Sequence, residues 1–159
     1  MFKKLTILGL LLISLTVSAK PTTTIAPLKE GSLLPSISVN NQHGKLVKIK
    51  TDVKTIFFSA EKAPSQVINL FLKKNPEFLV KQNAYLVANI SGMPFLISKF
   101  VAIPKMKKYP YDVLLVKQKG LFSFMPHKEG QLSILKISNG KITSISFVKN
   151  EKELIEAFK

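Results

Sequence analysis

The apolar positions of this chain gather into short dense runs separated by polar turns, and the periodicity of each run names an element. Thr55-Ile56-Phe57-Phe58 is β-branched or aromatic at every position, the pattern of a central strand buried on both faces. From Val67 the apolar residues fall at 67, 68, 70, 71 and 72, a helical stripe closed by Lys73 and Lys74 at the negative end of the helix dipole. Glu61 to Ser65 connects the two. Before this unit, Ile37 and Val39 alternate, Asn40 to Gly44 is turn chemistry, and Leu46, Val47 and Ile49 return as the second strand of a hairpin.

After it, Asn75-Pro76 stops the helix, and a short helix is expected within Pro76–Gln82. Ala84 to Ile90 is the next buried strand. Pro94 opens a helix carrying Phe95, Leu96, Ile97, Phe100, Val101 and Ile103, which Pro104 must end or kink. Tyr111 to Val116 is a third buried strand. Leu121 to Gly130 fits no regular pattern. Gln131–Ile137 and Lys141–Phe147 form a hairpin around Asn139-Gly140, a strong two-residue turn signal. Asn150 caps a last helix, with Glu153 as its capping-box partner and Leu154, Ile155 and Phe158 facing inward. The order predicts one α/β layered domain with a mixed sheet.

The first residues belong to a different class. Met1-Phe2-Lys3-Lys4, the apolar run Leu5–Val17 and the small residues Val17-Ser18-Ala19 make a secretory signal peptide over 1–19, cleaved after Ala19. The run is shorter than the ~20 residues of a spanning helix, and no later stretch is long enough to cross a membrane. Residues 20–30 form a Pro-spaced, Thr-rich arm, extended or disordered, and 31–159 the domain. The location expected is the bacterial periplasm.

Charge and cysteine usage narrow the chemistry. All 24 basic residues are lysine, against 9 acids. Without Lys3 and Lys4 the processed chain keeps 22 lysines. With no arginine, bidentate readout of phosphate or guanine has no donor, and nucleic acid is not an expected partner. The lysines are scattered, as solvated surface lysines are, although an anionic envelope lipid or polysaccharide is a second reading. There is no cysteine, so thiol chemistry is excluded.

Candidate reactive groups are few. Lys62 and Ser65 sit between the central strand and its helix, where a Ser–Lys dyad is conceivable, but Ser65 reads better as a cap-type residue. The two histidines, His43 and His127, fall in loops with no acid beside both. Met93, Met106, Met125 and His127 are too poor a set for copper, so no metal is expected. Lys105, Lys107 and Lys108 precede Tyr109-Pro110-Tyr111, which opens the following strand. No glycine-rich phosphate loop is present, and no cofactor is expected.

A resemblance adds to this reading. Gly31…Pro35, Ile37-Ser38-Val39 and Gly44-Lys45 resemble the entry segment of the peroxiredoxin and thiol-oxidoreductase branch of the thioredoxin superfamily. Phe57-Phe58-Ser59-Ala60 resembles the family's central strand before its catalytic turn. Ile134–Phe147 and then Glu151–Phe158 resemble its terminal hairpin and helix. The resemblance covers most of Gly31–Lys159 and implies a thioredoxin-like three-layer α/β domain, its mixed central sheet flanked by helices, with an N-terminal β-hairpin. The departures are at the chemistry. Where the family carries Cys-x-Pro-Cys or a peroxidatic cysteine, this chain has Lys62-Ala63-Pro64-Ser65, and the family's cis-proline falls near Gln131-Leu132, neither of them proline.

The expectation is therefore a non-catalytic exported module that binds a protein partner in the cell envelope. The family's ligand-facing loops map to Glu61–Ser65 and Phe122–Gln131. The candidate surface is Lys62, Pro64, Ser65, Phe122, Phe124, Met125 and His127, with Phe122, Phe124 and Met125 as an exposed apolar cluster. The alternative is that these phenylalanines turn inward. A Ser- or Lys-based enzyme is the third reading.

Overall fold

The elements follow from the runs just described, and a computed structural model describes residues 26–158. The proposed signal peptide, 1–19, and residues 20–25 of the arm lie outside the described residues. In chain order the elements are β1 (Ser38–Asn40), β2 (Leu46–Lys48), β3 (Thr55–Ser59), α1 (Lys62–Lys74), α2 (Phe78–Lys81) and β4 (Ala84–Asn89). A helical segment follows as α3 (Phe95–Ile97), a π-helical stretch (Ser98–Ala102) and α4 (Ile103–Met106). Then come β5 (Leu114–Val116), β6 (Leu132–Ser138), β7 (Lys141–Val148) and α5 (Glu151–Glu156). Five strands form one sheet in the order β5-β4-β3-β6-β7, while β1 and β2 pair as a separate hairpin. β4 runs parallel to β3 and β5, and β6 antiparallel to β3 and β7. The expected mixed sheet with an N-terminal hairpin is what forms.

Alternation along each strand divides the core in two. Phe57, Leu86, Ala88, Leu115, Leu132, Ile134 and Val148 point to one face, where α1 and α5 contribute Ile68, Phe71, Leu72 and Leu154. Ile56, Phe58, Val87, Leu114, Val116, Leu135, Ile137 and Ile142 point to the other, where the cover is not helical. There the third layer consists of Ile37, Val39 and Ile49 from the hairpin, Leu28 from the arm, and Phe122, Phe124 and Met125. The described end of the arm is docked. Leu28 N–H donates to the Phe124 carbonyl at 2.9 Å, and Ile145 N–H donates to Glu30 Oε1 at 3.1 Å.

Local chemistry accounts for the boundaries. Asn139 and Gly140 both take positive φ (50° and 72°), the turn that matches the twist of β6 and β7. At α5 the Asn150 side chain accepts from Glu153 N–H at 2.9 Å, and Glu153 reaches back to Lys149 N–H at 2.7 Å. Three details differ from the sequence expectation. Ile155 is exposed rather than inward, because the stripe of this short helix is carried by Leu154. The helix after Pro94 does not end at Pro104. The π-helical stretch precedes it, and α4 holds the proline in its first turn, where a missing N–H costs little. Asn41 and Gln42, read only as turn chemistry, are buried polar groups clamped to the residues just before β5.

Candidate functional site

The C-terminal end of β3 delivers Ser59 to the start of α1, the strand-to-helix position singled out by the sequence. β3 is buried at all five positions, so Ser59 is fixed with its hydroxyl inside. The turn is shorter than expected: Glu61 is the extended residue preceding the helix (φ −141°), and Lys62 to Ser65 already form the first turn. Ser65 is therefore not a cap, which corrects the sequence reading. Pro64 sits within the first helical turn, so the helix starts before it, and Ser65 lies one turn inside.

Ser65 Oγ and Ser59 Oγ lie 2.8 and 2.9 Å from the Glu61 carbonyl and 2.5 Å from each other; with one proton apiece, one hydroxyl donates to the carbonyl and the other to its neighbour. This set is closed on itself. A hydroxyl becomes a nucleophile when a base takes its proton, and here the partners of Ser65 are a hydroxyl and a carbonyl. Among the described residues His127 Nδ1 bonds the Met125 carbonyl at 3.2 Å, not a serine.

The second loop approaches the first through one bond. Gly130 N–H donates to Glu61 Oε2 at 3.2 Å, tying the segment before β6 to the start of α1. The two loops named from the sequence are thus neighbours. Their side chains are arranged otherwise than an exposed apolar cluster requires. Phe122, Phe124 and Met125 are 6%, 6% and 1% exposed, which is the inward alternative and removes the exposed-cluster reading. Phe122 stacks between Phe58 (6.3 Å) and Phe124 (5.3 Å), filling the sheet face that no helix covers. Pro64 is buried too. Of the seven candidates, Lys62 and His127 are exposed and Ser65 is half-buried.

Beside this turn, Ser65, Ile68 and Asn69 of α1 share a narrow crevice with Met106, Tyr109 and Val113. Tyr111 is buried and its hydroxyl donates to Asn69 Oδ1 at 3.1 Å; burial, with Tyr109 adding a little, holds its phenol well above the usual range. A wide groove of about 610 Å³ shares Tyr109 with this crevice and is lined besides by His43, Lys50, Val80, Asn83 and Tyr85 among others. Among the described residues no cluster of three metal-ligating groups occurs.

Two features escaped the sequence reading. Glu61, passed over as a turn residue, bridges both loops. Phe95 to Val101, read simply as part of a helix, is largely exposed. Its signal was present: three consecutive apolar residues, 95 to 97, cannot all lie on one buried face.

No protein-family model matches this chain, and neither does any curated protein. Solved structures do. A protein of Bacteroides thetaiotaomicron described as a protein disulfide isomerase superimposes with a TM-score of 0.59 at 20% identity, over 82% of this chain and 86% of that one. The thioredoxin domain of a thiol-disulfide oxidoreductase from Bacteroides vulgatus gives 0.53 at 16% identity, over 82% and 98%. The peroxidoxin BcpB of Mycobacterium tuberculosis gives 0.53 at 12%, over 82% and 94%. At these identities the likeness is one of fold. The chain has a thioredoxin-like fold and no cysteine.

Proposed function

We propose that this protein is an exported, non-catalytic binding module of the bacterial periplasm that uses a thioredoxin-like frame without thiol chemistry. The observation that carries the reading is the closed hydroxyl set at the start of α1. In a cysteine-free chain, the hydroxyls of Ser59 and Ser65 are spent on the Glu61 carbonyl and on each other. Export rests on the leader pattern of residues 1–19. The partner class is a protein of the envelope, met at the edge where the loop of His127 and the helix start bearing Lys62 and Ser65 are joined by the Glu61–Gly130 bond.

The processed protein is expected to reduce insulin disulfides and to consume peroxide no faster than buffer; turnover above that background overturns the reading. Crosslinking in the native cell, followed by identification of the captured protein, names the partner. A Ser- or Lys-based activity has less support, since Ser65 has no base among its hydrogen-bond partners. Should any hydrolytic activity be found, its survival in Ser65→Ala removes that mechanism. A second reading, an anionic envelope ligand, is favoured by one surface: between Glu77 and Asp112 the sequence has lysines and no acid.

A further inference from the structure

That acid-free segment contains the largest break in the usual burial rule. The helical segment formed by α3, the π-helical stretch and α4 rests on the domain through Ile103 and Met106, which pack on the helix-covered half of the core. Its outer side carries Phe95, Leu96, Ile97, Phe100 and Val101, which are 69%, 64%, 48%, 64% and 57% exposed. Five of the eleven large exposed apolar residues among those described fall within these seven positions, so this is a patch and not ordinary scatter. Lys99 lies within it, its ammonium 5.4 Å from the Phe95 ring centre and 5.3 Å from that of Phe100. Lys105, Lys107 and Lys108 follow, all exposed.

We infer that this helical segment lies in the surface of an anionic lipid bilayer, with Phe95, Leu96, Ile97, Phe100 and Val101 among the acyl chains and the four lysines at the phosphates. The inference rests on the binding-module reading and gives the chemistry of one partner.

Three observations select a bilayer over a protein groove or a second copy. A helix that docks in a groove presents one stripe, at i, i+3, i+4 and i+7. Here residues 95 to 97 are apolar in succession and, with 100 and 101, are all exposed, an outer face broader than one stripe, which suits immersion in a lipid surface. Lys99 sits in the middle of the apolar face. In a dry protein interface its charge would be desolvated without a partner, whereas at a bilayer its stem lies among the chains while its ammonium reaches the headgroups. A second copy would bring the same acid-free, lysine-bearing face against itself, and like charges oppose that. No helix among the described residues is long and apolar enough to cross a membrane, so the segment lies along the surface.

The chain has no tryptophan, so Leu96→Trp gives a single reporter within the patch. The processed protein carrying it, residues 20–159, is mixed with phosphatidylglycerol–phosphatidylcholine vesicles and with phosphatidylcholine vesicles. Expected are a blue-shifted emission and quenching by brominated acyl chains with the anionic vesicles, both weakened by salt. In co-sedimentation, Phe95→Ser with Phe100→Ser lowers vesicle binding by about tenfold or more while the melting temperature stays put, since both rings are exposed. Lys99→Gln with Lys105→Gln and Lys107→Gln removes the preference for anionic vesicles. The inference is overturned if emission stays red with both vesicle types. It is also overturned if emission is already blue without vesicles, which means another part of the chain or a second copy covers the patch. Equal binding by the parent and the double-serine variant overturns it too. In the first case, continued crosslinking to an envelope protein leaves the binding-module reading standing; loss of both removes it.

Discussion

Gln42 offers the most direct test of how the hairpin is held on the sheet. Its side chain, 2% exposed, accepts from Val113 N–H at 2.7 Å and donates to the Tyr111 carbonyl at 2.8 Å. The two backbone groups it satisfies lie just before the edge strand β5 and about seventy residues away in sequence. In Gln42→Ala both are left buried without these partners. An unsatisfied buried group costs roughly 1–3 kcal/mol, so a loss of about 3 kcal/mol is expected once some water enters the space left behind. At the usual relation of stability to melting temperature this is a drop on the order of 10 °C, read by circular dichroism or calorimetry. Gln66→Ala, exposed on α1, serves as the control and is expected to shift stability by less than about 0.5 kcal/mol.

Gln42→Glu separates the two bonds. A carboxylate still accepts from Val113 N–H but cannot donate to the Tyr111 carbonyl, while the protonated acid can do both. Burial and that donor bond favour the neutral form, so the folded pKa of the introduced acid stands above its unfolded value of about 4.3. The stabilisation is then fully present below the unfolded value and is lost as pH rises through the folded one. Measured against the parent at each pH, this variant is expected to approach parental stability in acid and to fall behind at neutrality. If Gln42→Ala melts within about 0.5 kcal/mol of the parent, the clamp is not what holds the hairpin, and the backbone bond from Gln42 N–H to the Val113 carbonyl suffices.

Two further outcomes follow from buried polar groups. Ser133 lies opposite Phe58 in the β3–β6 register with a fully buried Oγ that has no partner among the described residues, so Ser133→Ala should leave stability unchanged or raise it by up to about 1 kcal/mol; a clear loss in denaturant titration would show that the hydroxyl is satisfied. The Tyr111 phenol is held above its ordinary value of 10.0 by burial, so the neutral form is favoured by folding; that stability is present below pH 10.0 and lost as pH rises through the folded value. Tyr111→Phe should therefore cost about 1 kcal/mol at neutral pH through the lost bond to Asn69, yet show a shallower decline in stability above pH 10.0; parallel curves for the two proteins would refute this.

What the sequence made legible was set by range. The double-faced apolar run of β3, the Asn139-Gly140 turn and the Asn150–Glu153 cap are each decided within a few residues, and each stands in the structure. The misplaced residues depend on partners far along the chain. Asn41 and Gln42 have turn chemistry, but their partners Asp112, Tyr111 and Val113 lie about seventy residues on. Phe122, Phe124 and Met125 show no strand or helix period because they serve neither; they plug the sheet face left without a helix. Ser65 was misplaced by one turn because Pro64 lies within the first turn instead of before the helix.

The same division explains how the fold persists while the chemistry at its mouth differs from a thiol site. The cores on the two faces of β3 are built from side chains such as Phe57, Phe58, Leu86, Ile134 and Leu135, none of which needs a particular residue at the start of α1. That turn needs only its polar groups satisfied and its two loops joined, which Ser59, Ser65 and the Glu61–Gly130 bond accomplish without a thiolate. The Phe95–Val101 surface has no such account. Exposing five large apolar side chains contributes nothing to folding and invites association. A water-facing helix in this position would serve the core equally well, since Ile103 and Met106 alone meet it from this segment. The apolar face is therefore better understood as a demand of what the helix touches than of the fold.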